Sequence, residues 1–440
     1  MNEIDLVKTR FAPSPTGSFH LGSARTALFN YLYAKKHKGK FLLRLDDTDR
    51  ERSESVYESE IERSLEWLGL EYDEKYHQTA RQDLYEKQLN HLIREKKAYI
   101  SVEPAKSGAG EVELVRFVNP GQVVVFDDLV RGEITFDTTE LGDFVIARSG
   151  FPLYHLASVV DDIESQISHV IRGEDHISNT PRQILLLEAL GGERPYYAHI
   201  PLIMASDGTK LSKRHGALPV LSYREKGYLP QALINFLALL GWSPQAGEGG
   251  DDSDVLEMTE LLERFEFSGI GQAPARFNPD KLDWLNRQHV QKLSPHKQVQ
   301  LLRPYLKTAT QEKWSEDKLS KIVPLLFDRA ANVTEAARNL EDGEFDYVLT
   351  RPSIDREALE TVEYLPLVRE LIFGIPEEEF SPDRIKSAIW DRATEIGRKE
   401  VLAPFRKVLT GRERSPDPFT VSWILGKKET LARLDHFIHE

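Results

Sequence analysis

The sequence predicts an α/β fold: a parallel sheet covered by helices, interrupted by a β-rich insertion and followed by a mainly helical C-terminal part. Three observations carry this. Strand and helix patterns alternate over the first seventy residues, β-rich runs with glycine turns fill the stretch from about Val112 to Val145, and helical spacing dominates from about Pro230 onward.

The elements follow in order. Val7, Thr9 and Phe11 alternate with other residues, the two-residue period of a strand. Pro13-Ser-Pro-Thr-Gly17 breaks that strand, and Ala24, Ala27, Leu28, Tyr31 and Leu32 then recur at helical spacing from about Ser23 to Lys36. Phe41-Leu-Leu-Arg-Leu45 reads as a buried strand. A second helix is expected from Ser55, with Ser55 and Glu58 at capping-box spacing, an apolar face of Tyr57, Ile61, Leu65 and Leu68, and Gly69 as its end. In the insertion, Val123-Val-Val-Phe126 and Ile134-Thr-Phe136 are β-rich, with Gly121 and Gly132 as turn residues; a mostly antiparallel piece is expected. Thr180 is then a good helix cap before Pro181, and Gly191-Gly192 closes that helix. Gln231–Leu240 and Val362–Phe373 are helical segments, and Gly247–Asp254 is a polar loop.

Composition narrows the function classes. The chain has 440 residues, enough for two to four domains, with an ordinary 40% apolar and 29% charged content. No run approaches the ~18 apolar residues of a membrane span, and Met1–Asp5 lacks the basic flank and apolar stretch of a signal peptide. The absence of cysteine rules out disulfides and thiolate metal sites and fits a reducing cytoplasm. A net charge of −14 argues against a general nucleic-acid coat protein. Locally, though, Arg384 to Arg414 holds nine Lys/Arg against four Asp/Glu, 9 − 4 = +5, either a solvated helix face or an RNA contact.

Two short motifs carry chemistry. His20-Leu-Gly-Ser23 lies between the first strand and the first helix, where free N–H groups and the helix dipole favour phosphate; Gly22 lets a ligand approach the backbone, and His20 can donate to a phosphate oxygen or simply cap the helix. Lys210-Leu-Ser-Lys-Arg214 follows Ser206-Asp-Gly-Thr209, and its two lysines can fold over a triphosphate or form an exposed basic loop.

In this order and spacing the two motifs resemble the HIGH and KMSKS signatures of class I aminoacyl-tRNA synthetases. The words around them resemble the bacterial-type glutamyl branch: Arg10-Phe-Ala-Pro-Ser-Pro-Thr-Gly17, Arg44-Leu-Asp-Asp-Thr-Asp-Arg-Glu-Arg-Ser53, Tyr154-His-Leu-Ala157, Val159-Val-Asp-Asp162 and Val170-Ile-Arg-Gly-Glu-Asp175. The resemblance is dense over residues 7–240 and thinner to the C-terminus, where Leu425-Gly-Lys427 looks like part of the family's last helices.

That resemblance implies a glutamate–tRNA ligase using ATP with Mg²⁺, with L-glutamate and tRNA(Glu) as partners and a monomer as the usual state. Arg10, Ala12 and Ser14 would contact the amino acid, Asp46 its ammonium group, and Tyr154 and Arg172 its side chain. His20 and Gly22 would meet ATP, with Asp175 at the ribose or nucleotide, backbone near Leu202 at the adenine, and Lys210 and Lys213 over the phosphates. The implied architecture is a Rossmann-like catalytic domain (1–77 and 151–205), an α+β acceptor-stem insertion (78–150), a stem-contact region with the lysine loop (206–290) and a mainly α-helical anticodon-binding region (291–440). Within the last, the Arg384–Arg414 stretch reads as a tRNA contact.

Two departures stand out. Asp46 replaces the family's usual Glu, and the stretch Ala98-Tyr-Ile-Ser-Val-Glu103 has no cysteines where many relatives carry a zinc knuckle, with Lys106–Gly110 as a shortened loop, so no zinc is expected. Among lone residues, His155 and His176 are expected to be structural, Trp67 and Trp284 core, and Asp161-Asp162 a helix cap or solvent-facing turn. Rival readings are an enzyme that also charges tRNA(Gln), a glutaminyl enzyme, a tRNA-modifying paralogue and a non-catalytic tRNA-binding relative. The helical tail, the length and the intact motifs argue against the last three.

Overall fold

The computed structural model describes residues 6–49, 52–104, 110–209, 211, 218–244, 254–354, 359 and 362–439. Two compact units divide the chain, Met1–His289 and Val290–Glu440.

In the first unit, strand β1 (Lys8–Phe11) leads through a turn to helix α1 (Leu21–Lys36), strand β2 (Lys40–Leu45), helix α2 (Ser55–Leu68) and strand β3 (Glu74–His77). β1, β2 and β3 are parallel, with β2 in the middle. Strand polarity sorts the core: Phe41, Leu43 and Leu45 of β2 face one buried cluster with α1, and Leu42 faces a second. The same alternation separates Val170 from Ile171 and Tyr197 from Ala198. Helices therefore cover both faces, as an all-parallel sheet requires.

α3 (Gln82–Arg94) then leads to β4 (Ala98–Pro104), β5 (Glu111–Phe117), β6 (Val123–Asp128), β7 (Gly132–Asp137), β8 (Phe144–Arg148) and β9 (Phe151–Pro152). β4, β5, β8 and β9 form an antiparallel sheet. The β6–β7 hairpin is antiparallel within itself but is not part of that sheet. β6 bonds in parallel to β11 (Tyr196–Ile200) through Asp128 and Tyr197, so the hairpin extends the sheet that contains β11. The Asp128–His199 hydrogen bond at this junction spans 71 residues of chain, which no local pattern encodes.

The parallel pattern resumes with α4 (Tyr154–Glu164), β10 (His169–Gly173), α5 (Thr180–Ala189) and β11, with β10 and β11 parallel. β10 runs beside β1: Ser168 N donates to Lys8 O at 3.0 Å, and Asn30 Nδ2 of α1 donates to Ile171 O at 3.0 Å. Then come β12 (Ile203–Met204), α6 (Val220–Glu225), α7 (Pro230–Leu239), α8 (Met258–Arg264), β13 (Ala275–Arg276) and α9 (Pro279–Gln291). Pro230 opens α7 near the expected start, and α7 buries Leu233, Phe236 and Leu237. Of the expected polar loop Gly247–Asp254, all but Asp254 lies outside the described residues.

Several local expectations are corrected. Ser55 is the first residue of α2, not its cap; the capping position is Glu54, without a side-chain bond, and Glu58 instead binds Lys75 and His77. Gly69 does end α2, at φ 69°. Thr180 does not cap α5: its hydroxyl turns inward and accepts from Arg172. Trp67 and Trp284 are half-buried at the core's edge, with Lys281 lying 4.1 Å from the Trp284 ring centre. Fully buried tryptophans are Trp242 and Trp314.

The second unit is helical among its described residues: α10 (Pro295–Leu302), α11 (Thr308–Lys313), α12 (Glu316–Arg329), α13 (Val333–Glu341), α14 (Leu365–Phe373), α15 (Pro382–Ile396), α16 (Arg398–Thr410), α17 (Pro418–Leu425) and α18 (Lys427–His439). Ser294, Ser315, Asn332, Ser381 and Asp417 cap α10, α12, α13, α15 and α17 with side-chain oxygens. The basic Arg384–Arg414 stretch occupies α15 and α16. There Trp390 is flanked by Lys386 and Arg398, whose charged groups lie 5.0 and 4.4 Å from its ring centre.

Candidate functional site

The carboxyl ends of β1, β2, β10 and β11 open into a cavity of about 760 Å³. Ligands of parallel α/β sheets bind at this edge. Arg10, Ala12, Ser14, His20, Gly22, Asp46, Tyr154, Arg172, Asp175 and Leu202, drawn from five separate stretches of sequence, all line it. Lys210 and Lys213 lie outside the described residues, as does most of Lys106–Gly110. Leu211, between the two lysines in sequence, lines the cavity.

On the β1–β2 side the wall is ionic, and most of it was not anticipated. Arg10 donates to Asp162 through Nε at 3.0 Å and Nη2 at 3.2 Å. Arg44, 1% exposed, donates to Asp46 through Nε at 2.7 Å and to Asp162 through Nη1 at 2.7 Å. Asp161 accepts from Gln78, Tyr85 and Arg81 at 2.9, 2.9 and 3.1 Å. The expectation for Asp161-Asp162 is thereby corrected: neither is a cap or a solvent-facing turn. Both sit on α4 with their carboxylates turned inward, where only paired charge is tolerable. The one sequence signal was an arginine inside the otherwise apolar run of β2. Burial pushes the Asp46 carboxyl up to about 6, against the opposing pull of Arg44.

On the β10 side the balance differs. Arg172 is 6% exposed, and Nε donates to His199 Nε2 at 3.2 Å while Nη2 donates to Thr180 Oγ1 at 2.7 Å. Among the described residues it has no carboxylate partner, and Nη1 has no hydrogen-bond partner. Neighbouring Glu174 is committed elsewhere, to Arg131 and to Leu202 N. Burial lowers the Arg172 pKa, so a bound anion would be stabilising there. Tyr154, first residue of α4, places its hydroxyl 3.1 Å from His176 Nδ1. Burial pulls His155 and His176 down to about 4, which keeps both neutral at physiological pH.

At the other end, His20 caps α1: its Nδ1 accepts from Ser23 N at 3.3 Å. A Cβ on Gly22 would stand 3.2 Å from that imidazole, so this glycine makes room for the ring itself. Glu60 of α2 accepts from Phe19 N at 3.0 Å and steadies the turn. A Cβ on Gly173 would stand 2.4 Å from an Asp175 carboxylate oxygen, so a larger residue there would push that side chain aside. Both polar backbone groups of Leu202 are engaged, its N–H by Glu174 at 2.7 Å and its carbonyl by Ala275 N at 3.0 Å. Among the described residues no group of three or more His, Asp or Glu side chains is arranged to hold a metal ion.

The sequence matches the family described as tRNA synthetases class I (E and Q), catalytic domain, over residues 6–107 and 102–284. The chain belongs to this synthetase family. Residues 297–438 match the family described as anticodon binding domain. Over 98% of its length the chain is 39% identical to a glutamate–tRNA ligase of Nitrosomonas europaea and 40% identical to one of Thermodesulfovibrio yellowstonii, covering 98% and 99% of those proteins. Among solved structures, a glutamate–tRNA synthetase from Elizabethkingia anophelis aligns over 99% of this chain and all of its own, with a TM-score of 0.81 at 30% identity. The class I α/β fold with a helical C-terminal part is thus shared along the whole length. No helix among the described residues is long and apolar enough to cross a membrane.

Proposed function

We propose that the chain activates L-glutamate with ATP and transfers it to the 3′ end of tRNA(Glu). Membership of the family and relatives named glutamate–tRNA ligase support the reading. The observation of this chain that carries it is Arg172, a buried guanidinium open to the cavity with only neutral hydrogen-bond partners. A glutamate side chain supplies the missing anion with matching bidentate geometry; glutamine's amide does not. Tyr154 flanks that carboxylate. Asp46, whose oxygens keep lone pairs beyond those used by Arg44, takes the ammonium group, and Arg10, Ala12 and Ser14 complete the amino-acid end.

The chemistry needs no protein nucleophile. The glutamate α-carboxylate attacks the α-phosphorus of ATP, forming a mixed anhydride and releasing pyrophosphate. A terminal tRNA hydroxyl then attacks the carbonyl carbon, forming the ester and releasing AMP. The protein contributes positioning and stabilisation of developing charge. His20 and the N-terminus of α1 receive the triphosphate, Gly22 leaves the imidazole room, and Asp175 lies at the nucleotide. The Leu202 N–H is taken by Glu174, but its carbonyl, which accepts one bond from Ala275 N, keeps a lone pair for the adenine amino group. Lys210 and Lys213 are the residues assigned to neutralise the phosphate charge. Magnesium, carried on the nucleotide, would spread the phosphate charge, and no step is assigned to it. The β-rich insertion receives the acceptor stem and the helical unit the anticodon.

ATP–pyrophosphate exchange in the presence of tRNA, run with glutamate and with glutamine, tests the reading. Exchange with glutamate and little with glutamine is expected; a preference for glutamine overturns it.

A further inference from the structure

Asp128 and His199 are not assigned a part in the reading above, yet they are among the most completely buried polar pairs in the first unit, with no side-chain exposure on either partner. Asp128 closes strand β6 of the inserted hairpin. Its Oδ1 accepts from Val130 N and Arg131 N at 3.0 and 2.9 Å, which fixes the turn. Its Oδ2 lies 2.6 Å from His199 Nδ1 and 3.1 Å from His199 N.

The proton positions follow from these contacts. A buried carboxylate that already accepts backbone N–H bonds takes the imidazole Nδ1–H as donor, which leaves Nε2 as an acceptor. Burial lowers the His199 pKa and His199 lowers that of Asp128, consistent with a neutral ring beside a charged carboxylate. The acceptor Nε2 faces Arg172 Nε at 3.2 Å, and Thr180 Oγ1, 3.0 Å from Nε2, receives Arg172 Nη2.

We propose that Asp128 and His199 are positioning residues for amino-acid selection: Asp128 fixes the His199 tautomer, and the His199 acceptor aims the Arg172 guanidinium at the cavity while placing no anion in contact with it. A carboxylate in place of His199 would aim Arg172 equally well but would neutralise it and compete with the substrate. The neutral acceptor leaves the positive charge for the ligand. The hairpin turn of the insertion thus forms part of the glutamate pocket from behind. This inference rests on the proposed contact between Arg172 and the glutamate side chain.

Steady-state charging by the full-length protein, with KM for glutamate, KM for ATP and kcat measured separately, tests it. Asp128→Asn keeps the shape but lets its amide donate to Nδ1, which puts a proton on Nε2 facing the Arg172 N–H. KM for glutamate is expected to rise about 10–100-fold, the size of one lost hydrogen bond to a charged group. KM for ATP and kcat at saturating glutamate should stay within about threefold, below half a decade. His199→Leu should behave likewise. His199→Gln, whose amide oxygen can stand at the Nε2 position, should recover most of the loss, and this pair decides the matter if Asp128→Asn does not fold. A rise in both KM values together, or no recovery in His199→Gln, would mean a merely structural pair and overturn the proposal. Arg172→Ala is the control. If it raises KM for glutamate while Asp128→Asn and His199→Leu do not, the relay is wrong; if Arg172→Ala itself leaves KM unchanged, the underlying reading of Arg172 has failed instead.

Discussion

Replacing Arg172 with alanine would remove a cation whose fixed partners are Thr180 and His199 and would leave any bound carboxylate buried and unpaired. Breaking such a pair costs about 3–5 kcal/mol, or roughly 10²-fold to several 10³-fold in kcat/KM for glutamate. The preference over glutamine should collapse with it. A folded variant that keeps both its preference and its KM would place selectivity elsewhere, with Arg10 the next candidate. Asp46 gives a second probe. Its folded pKa of about 6 lies above the ~3.9 of an unfolded chain, so the stability it contributes is complete below pH ~4 and is lost as pH rises through about 6. Acidification therefore costs the fold nothing through this group, but it removes the charge that an ammonium group needs. KM for glutamate should climb as pH falls through about 6, and Asp46→Asn should be weak and flat across the same range; a wild-type KM that is flat there would remove Asp46 from the ammonium site. Arg172 and Asp46 were legible because they sit in short motif words. Arg44 and Asp162 were harder to read, since their pairing joins β2 to α4 across 118 residues and nothing near either residue announces the partner.

Elements were read well where periodicity decided them and poorly where a single side chain had two possible uses. α1 and α2 follow their apolar spacing, and Gly69 stops α2 as its left-handed conformation allows. Ser55 and Thr180 have the right chemistry for caps, yet the chain uses Glu54 and Asn179 at those positions, and Thr180 serves Arg172. For Thr180 the local cap was an option that a tertiary contact, with Arg172, displaced. The β6–β7 hairpin was legible as β structure but not in its attachment to β11. At the α1 turn, Gly22→Ala puts a methyl group 3.2 Å from the His20 ring. Displacing that ring should raise KM for ATP about tenfold, the loss of one hydrogen bond to a charged phosphate, with the melting temperature nearly unchanged. An unaltered KM for ATP would separate His20 from the nucleotide. In the insertion, β4, β5 and β8 pair through an unbroken antiparallel ladder apart from one register shift at Val115/Arg116, in a chain without cysteine. Elemental analysis of purified protein should find no stoichiometric zinc, and chelation should leave the circular dichroism spectrum intact; one tightly held zinc per chain would contradict this.

Across the whole molecule, net charge and function pull in different directions. At −14 the chain is acidic, so tRNA must meet local positive surface. The α15–α16 stretch offers such surface in the unit that matches the anticodon-binding family. Affinity for tRNA should fall steeply with added salt. Removing residues 290–440 should leave ATP binding by the first unit largely intact, since every described residue lining the cavity lies before residue 220, and should reduce charging severely. Full-rate charging by the shortened chain would refute that role. The central claim, glutamate activated by ATP and esterified to tRNA, is tested most directly by one charging reaction: purified full-length protein, ATP, unfractionated tRNA and radiolabelled glutamate, with glutamine in a parallel tube. Alkali-labile label on tRNA is expected from glutamate, dependent on ATP, and none above background from glutamine. Label from glutamine alone, or label from glutamate that survives mild alkali and so is not an ester at the 3′ end, would contradict it.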